Sequence, residues 1–116
     1  MQYALLIYTD EVQEAQRSPD EQKALMGAYY AFTTAVKEAN NYVTGAPLQS
    51  TGTATTVRVR DGVTLTTDGP FAETKEQLAG FYLLNCKDLD EAIALGARIP
   101  GAASGSIEIR PIWVMG

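Results

Sequence analysis

The sequence predicts a single α+β domain in which two helices pack on one antiparallel sheet. Three observations lead there. Short apolar runs alternate with two amphipathic stretches, so strand and helix periods follow one another along the chain. An Asp-Gly pair separates two β-rich runs. The chain has 116 residues and is 46% hydrophobic, which suits one domain that buries roughly two-thirds of its unfolded surface.

Each element has a local reason. Tyr3-Ala4-Leu5-Leu6-Ile7-Tyr8 is an apolar run ended by Thr9-Asp10-Glu11, and it reads as a buried central strand. It is too short, and too rich in aromatic and branched residues, for a helix. A polar loop runs on to Arg17. Ser18 then caps a helix, Pro19 fits its first position, and Glu21 completes a Ser-x-x-Glu capping box. Leu25, Tyr29, Phe32 and Val36 recur at spacings of four, three and four, which places them on one helix face. Asn40-Asn41 suits the stop, because Asn tolerates the left-handed conformation that ends helices.

Tyr42 to Leu48 reads as a short edge strand, ended by Pro47. Ala54–Arg60 and Val63–Thr67 flank Asp61-Gly62, the strongest short-range hairpin signal a sequence offers. Asp68-Gly69-Pro70 breaks the second arm. Phe71–Gln77 is a polar connection with room for a helical turn, and Leu78–Leu84 is a second apolar strand. Asp88 caps another helix, with Glu91 three residues on, and Pro100-Gly101 ends it. Ser106 onward alternates until Pro111, a last strand.

With the hairpin counted as one element, the order is the split β-α-β pattern of ferredoxin-like folds. No repeat, low-complexity stretch or linker interrupts it, so residues 1–116 read as one domain. Two helices cover one sheet face. The other face is free to line a cavity or to meet another subunit, and a homodimer that pairs those faces into one α+β barrel would cover it.

Composition excludes several chemistries. There is no His, which removes Ser-His-Asp and Cys-His nucleophilic machinery and the commonest transition-metal ligand. One Cys, Cys86, makes neither an intrachain disulfide nor a metal cluster, and it suits the cytoplasm. No cofactor or metal is expected, beyond a weak Mg²⁺ or Ca²⁺ contact by carboxylates. A net charge of −5 argues against direct nucleic-acid binding. The opening residues lack a signal-peptide pattern and no run of about eighteen apolar residues occurs, so no membrane partner is expected.

Thr66 to Glu76 is the densest cluster of unusual residues. Asp68, Glu73, Lys75 and Glu76 surround a rigid Gly-Pro turn and Phe71. Such a loop can present a carboxylate beside an ammonium, enough for proton transfer or for holding a polar ligand. It can equally be a strand-ending turn with solvated charges, Phe71 plugging the core and Asp68 capping its own turn. Elsewhere, Glu108 and Arg110 share a strand face and suit a solvated ion pair, while Arg58 and Arg60 suit an anion or plain solvent. Tyr29, Tyr30 and Tyr82 combine apolar bodies with hydroxyls, and any of them suits a cavity wall, although Tyr29 also suits plain core.

The stretch Thr67-Asp68-Gly69-Pro70-Phe71-Ala72-Glu73-Thr74-Lys75-Glu76-Gln77-Leu78-Ala79-Gly80-Phe81-Tyr82 closely resembles the signature of the DGPF group of YCII-related proteins. Thr55–Gly62, Asp88–Ala92 and Gly105–Ile112 agree with it, so the likeness spans nearly the whole chain. The resemblance implies a dimeric α+β barrel of ferredoxin-like subunits. It also implies a possible partner, since members are often encoded beside, or attached to, extracytoplasmic-function sigma factors. A His-Asp pair proposed as an active site in the wider family cannot exist here without His. Asp68 is its natural survivor and the candidate catalytic residue. The expected ligand-binding set is Asp68, Phe71, Glu73, Lys75 and Tyr82, at the mouth of a cavity that takes a small organic ligand. The function so read is a homodimeric ligand-binding or sigma-factor-associated accessory module. The alternative is a small cofactor-free isomerase or lyase that uses Asp, Glu and Lys acid–base chemistry.

Overall fold

A computed structural model describes residues 1–115. Strand β1, Gln2–Thr9, alternates buried and half-buried residues along its length, with Tyr3, Leu5, Ile7 and Thr9 turned to the core. The loop expected after it contains a one-turn helix, α1, Glu11–Glu14. Asp10 nucleates that turn, its carboxylate accepting from the Val12 and Gln13 amides at 2.9 and 3.4 Å. Helix α2, Pro19–Glu38, starts at the capping box: Ser18 Oγ accepts from Glu21 N, and Glu21 Oε1 accepts from Ser18 N. Asn40, at φ 63°, turns the chain out of the helix.

Strand β2, Tyr42–Pro47, forms a sheet edge, as its Pro47 allows. Strands β3, Thr55–Arg60, and β4, Val63–Asp68, meet at Asp61 and Gly62, both with positive φ, as a two-residue mirror-image turn requires. Strand β5, Gln77–Asn85, helix α3, Leu89–Arg98, and strand β6, Ser106–Pro111, complete the chain. Asp88 caps α3 through Glu91 N at 2.9 Å. Pro100–Ala103 is a 3-10 turn. The segment between β4 and β5 bends without forming a helical turn.

The main sheet runs β2-β5-β1-β6 with every pair antiparallel. Its four strands thus lie in the order second, third, first, fourth, consistent with a ferredoxin-like α+β fold. The hairpin β3–β4 is not one of these four, contrary to the count made from sequence. It forms a separate two-stranded sheet inserted between β2 and β5. The register explains why. Val57 and Val59 lie opposite Thr66 and Thr64, while Leu65 and Val63 lie opposite Arg58 and Arg60, so neither face is continuously apolar. All six residues of β4 are exposed. This arm helps to raise the radius of gyration to 16.2 Å, against roughly 13 Å for a compact domain of this length.

The core lies between the sheet and the two long helices. Leu5 and Leu84 from adjacent strands meet Val36 of α2 and Ile99 just after α3, all four fully buried. Phe32 packs edge-on against Tyr82, with ring centroids 5.1 Å apart.

Candidate functional site

A cavity of about 460 Å³ opens between α2 and the β2–β5 side of the sheet. One wall is a stripe on α2: Gln22, Leu25, Met26, Tyr29, Tyr30 and Thr33 recur three or four residues apart and so share a face. The opposite wall is Tyr82 on β5 with Gly45 and Ala46 on β2. Two absent side chains shape this space. A Cβ at Gly45 would stand 2.9 Å from Tyr82 Cδ1, and one at Gly101 would stand 2.6 Å from the Tyr29 hydroxyl. Glycine therefore lets the Tyr82 ring lie over one backbone and the Tyr29 phenol reach another.

The polar groups inside are few. Thr33 Oγ1 and Tyr82 Oη are hydrogen-bonded at 2.7 Å. Burial pushes both the Tyr82 and Tyr29 phenols above their ordinary pKa. The hydrogen bond from Thr33 acts the other way on Tyr82, and a backbone hydrogen bond at Gly101 does so on Tyr29. Both therefore remain protonated at neutral pH and can donate. Near the mouth, Arg17, beyond the end of α1, forms an ion pair with Glu14 three residues before it. These are the charged side chains of the lining among the described residues.

The residues singled out from sequence are not brought together. Tyr82 is 7% exposed and lines the main cavity. Glu73 lines a second, shallower concavity of about 380 Å³, with Thr51, Gly69, Pro70, Ala72 and Gln77. Asp68 ends β4 in solvent and lines neither space. Among the described residues its carboxylate accepts no hydrogen bond, whereas the expected turn is closed by backbone, Gly69 N donating to Ala54 O at 2.7 Å. Phe71 does not plug the core; it is 78% exposed. Lys75 is also exposed and lines neither concavity. The loop is tied at Gly69, whose carbonyl accepts from Thr56 Oγ1 at 2.8 Å, and at Glu76, whose carboxylate accepts from Ser106 Oγ at 2.8 Å, while Glu11 links Thr51 to Gln77 at the start of β5.

Reading the sequence alone passes over Arg17, Glu14, Met26 and Thr33 as site residues. A usable signal is present for one of them, because Thr33 is a polar residue that continues the helical stripe of Leu25, Met26, Tyr29 and Tyr30. Away from the cavity, Arg110 and Glu108 pair at 3.3 Å on the exposed edge strand β6. Cys86 is buried, and burial pushes its thiol pKa up, which keeps it unreactive. Among the described residues no cluster of three or more His, Cys, Asp or Glu is placed to hold a metal ion. No helix there is long and apolar enough to cross a membrane.

The family model described as the YCII-related domain matches residues 1–116. An uncharacterized protein (R00369) of Rhizobium meliloti (strain 1021) is 41% identical over 114 residues, spanning 97% of this chain and 92% of the relative. The chain belongs to the YCII-related family.

Proposed function

We propose that this protein is a homodimeric small-molecule-binding module whose ligand enters the cavity under α2. The observation that carries the reading is the cavity itself. Its volume lies within the range of ligand pockets, and it combines apolar walls with a small set of convergent hydroxyls. Binding is favoured over base catalysis because Glu14, the one carboxylate of the lining among the described residues, is engaged by Arg17, and the Tyr29 and Tyr82 phenols, held protonated, supply no base.

The sheet face turned away from the helices supports the dimer. Alternation puts Ala4 and Leu6 of β1 opposite Leu83 and Phe81 of β5 on that face, and past a bulge Tyr8 lies opposite Leu78. This apolar strip is bordered by Glu108 and Arg110 of β6. An apolar centre with a charged rim is the pattern of a surface meant to be covered.

Ligand-observed NMR against a fragment library tests the cavity. Hits that bind the wild type and are lost on Thr33→Trp, which fills the space from α2 while far-UV circular dichroism stays native, support the reading. Hits that persist in the variant refute it. Light scattering on Leu6→Glu tests the dimer, a monomer mass being expected only for the variant.

A further inference from the structure

We infer that the ligand is an uncharged, planar aromatic molecule of two or three fused rings, carrying a hydroxyl or carbonyl that meets the Tyr82–Thr33 hydroxyl pair. This rests on the cavity being a ligand site and narrows that site to a chemical class.

Charge is the first argument. Arg17 and Glu14, paired three residues apart, neutralise each other, so the lining offers a buried ion no uncompensated counter-charge. An ionised ligand would lose hydration on entering largely apolar walls without recovering it. A neutral ligand loses nothing of that kind.

Wall chemistry is the second. Tyr29, Tyr30, Tyr42 and Tyr82 line the space from three elements, joined by the polarisable Met26. Tyr42 and Tyr82 already meet edge-on, at 6.5 Å between centroids and 73° between planes. Rings so disposed favour a further ring over a flexible chain, because stacked and edge-on contacts add to simple burial and a rigid ligand has less freedom to lose. Tyr30 and Met26 remain well exposed at 77% and 60%, leaving apolar surface beside the opening for the outer part of such a ligand.

Proton counting is the third. The Thr33 and Tyr82 hydroxyls carry two protons, and their mutual bond uses one. The pair therefore has one proton left to donate, together with lone pairs to accept. A phenolic hydroxyl or a carbonyl satisfies this, whereas a wholly apolar ligand leaves the proton without a partner. Size agrees as well. A dry cavity of about 150 Å³ accommodates benzene, and this one is roughly three times larger at about 460 Å³.

Calorimetry at pH 7 with four probes tests the class: 2-naphthol, 2-naphthoate, naphthalene and 1-decanol. The expected order has 2-naphthol tightest, with 2-naphthoate and 1-decanol each at least about tenfold weaker. Tyr82→Phe keeps the ring and should weaken 2-naphthol about two- to tenfold while leaving naphthalene unchanged. Thr33→Val should repeat that split if Tyr82→Phe perturbs folding. Tight binding of 2-naphthoate or 1-decanol would leave the cavity a ligand site and overturn the class. Equal loss of 2-naphthol and naphthalene in both variants would overturn the role of the hydroxyl pair. Binding by none of the four would overturn the class, and an empty fragment screen beside it would overturn the site.

Discussion

Gly101→Ala probes how the floor of the cavity is made. Gly101 is buried in the 3-10 turn after α3. A methyl there would stand 2.6 Å from the Tyr29 hydroxyl, 3.0 Å from Ile7 Cγ2 and 3.7 Å from Thr9 Cγ2. The first distance is well inside van der Waals contact, so the phenol must swing aside. The second asks Ile7 to give by a few tenths of an ångström. Overpacking by one methyl costs about 1–3 kcal/mol, and the reduced freedom of the unfolded chain returns about 0.4–1 kcal/mol. The net expectation is a loss of about 1–2 kcal/mol, roughly 4–8 °C in Tm for a domain of this size. Tyr29→Phe removes the atom at 2.6 Å and keeps the ring. In that background Gly101→Ala should cost about 0–1 kcal/mol, a coupling of about 1 kcal/mol. Urea denaturation of all four proteins at a single concentration measures it. An equal cost for Gly101→Ala in both backgrounds would mean that the Tyr29 hydroxyl does not occupy that space, and the account of the floor would fail.

Other outcomes follow from the same geometry. Gly27 lies in the exposed middle of α2 with nothing within 4 Å of an added Cβ, so Gly27→Ala should stabilise by about 0.5–1 kcal/mol, read from the urea midpoint. Asp68→Asn should change stability by less than about 0.5 kcal/mol, since its carboxylate accepts no hydrogen bond among the described residues; a loss above about 1 kcal/mol would revive a capping role. The Ser18 backbone amide holds the Glu21 carboxyl below its ordinary value of 4.5, with the Ser18 side chain acting the same way. A folded pKa below the unfolded one adds stability above about pH 4.5 that is lost as pH falls further. Glu21→Gln should flatten the acid limb of the stability–pH curve below pH 4.5 and leave its shape at neutral pH unchanged.

What the sequence determined by itself lies within a few residues of each signal. Ser18, Pro19 and Glu21 start α2 because the orphan amides of a first turn need acceptors within reach. Asp61-Gly62 turns the hairpin because two successive positive φ angles suit those residues. Pro47 and Pro111 stand at strand ends because proline has no amide to donate. The resemblance of Thr67–Tyr82 to YCII-related proteins was likewise legible, since a family signature is a property of the linear chain.

Only tertiary structure decided the partners. The hairpin arms have strand signals as strong as those of β1, yet they leave the main sheet because a polar residue faces an apolar one across each central rung. The loop of Asp68, Phe71, Glu73 and Lys75 draws the eye by its charges, but its ends are tied by residues on other strands, Thr56 to Gly69 across 13 residues and Ser106 to Glu76 across 30. The cavity needed Thr33 and Tyr82 to meet across 49 residues, and Gly45 and Gly101 to vanish beneath two tyrosine rings. Turns and caps are set by local torsions and local hydrogen bonds. A cavity is empty space between distant elements, and no single stretch of chain carries its outline.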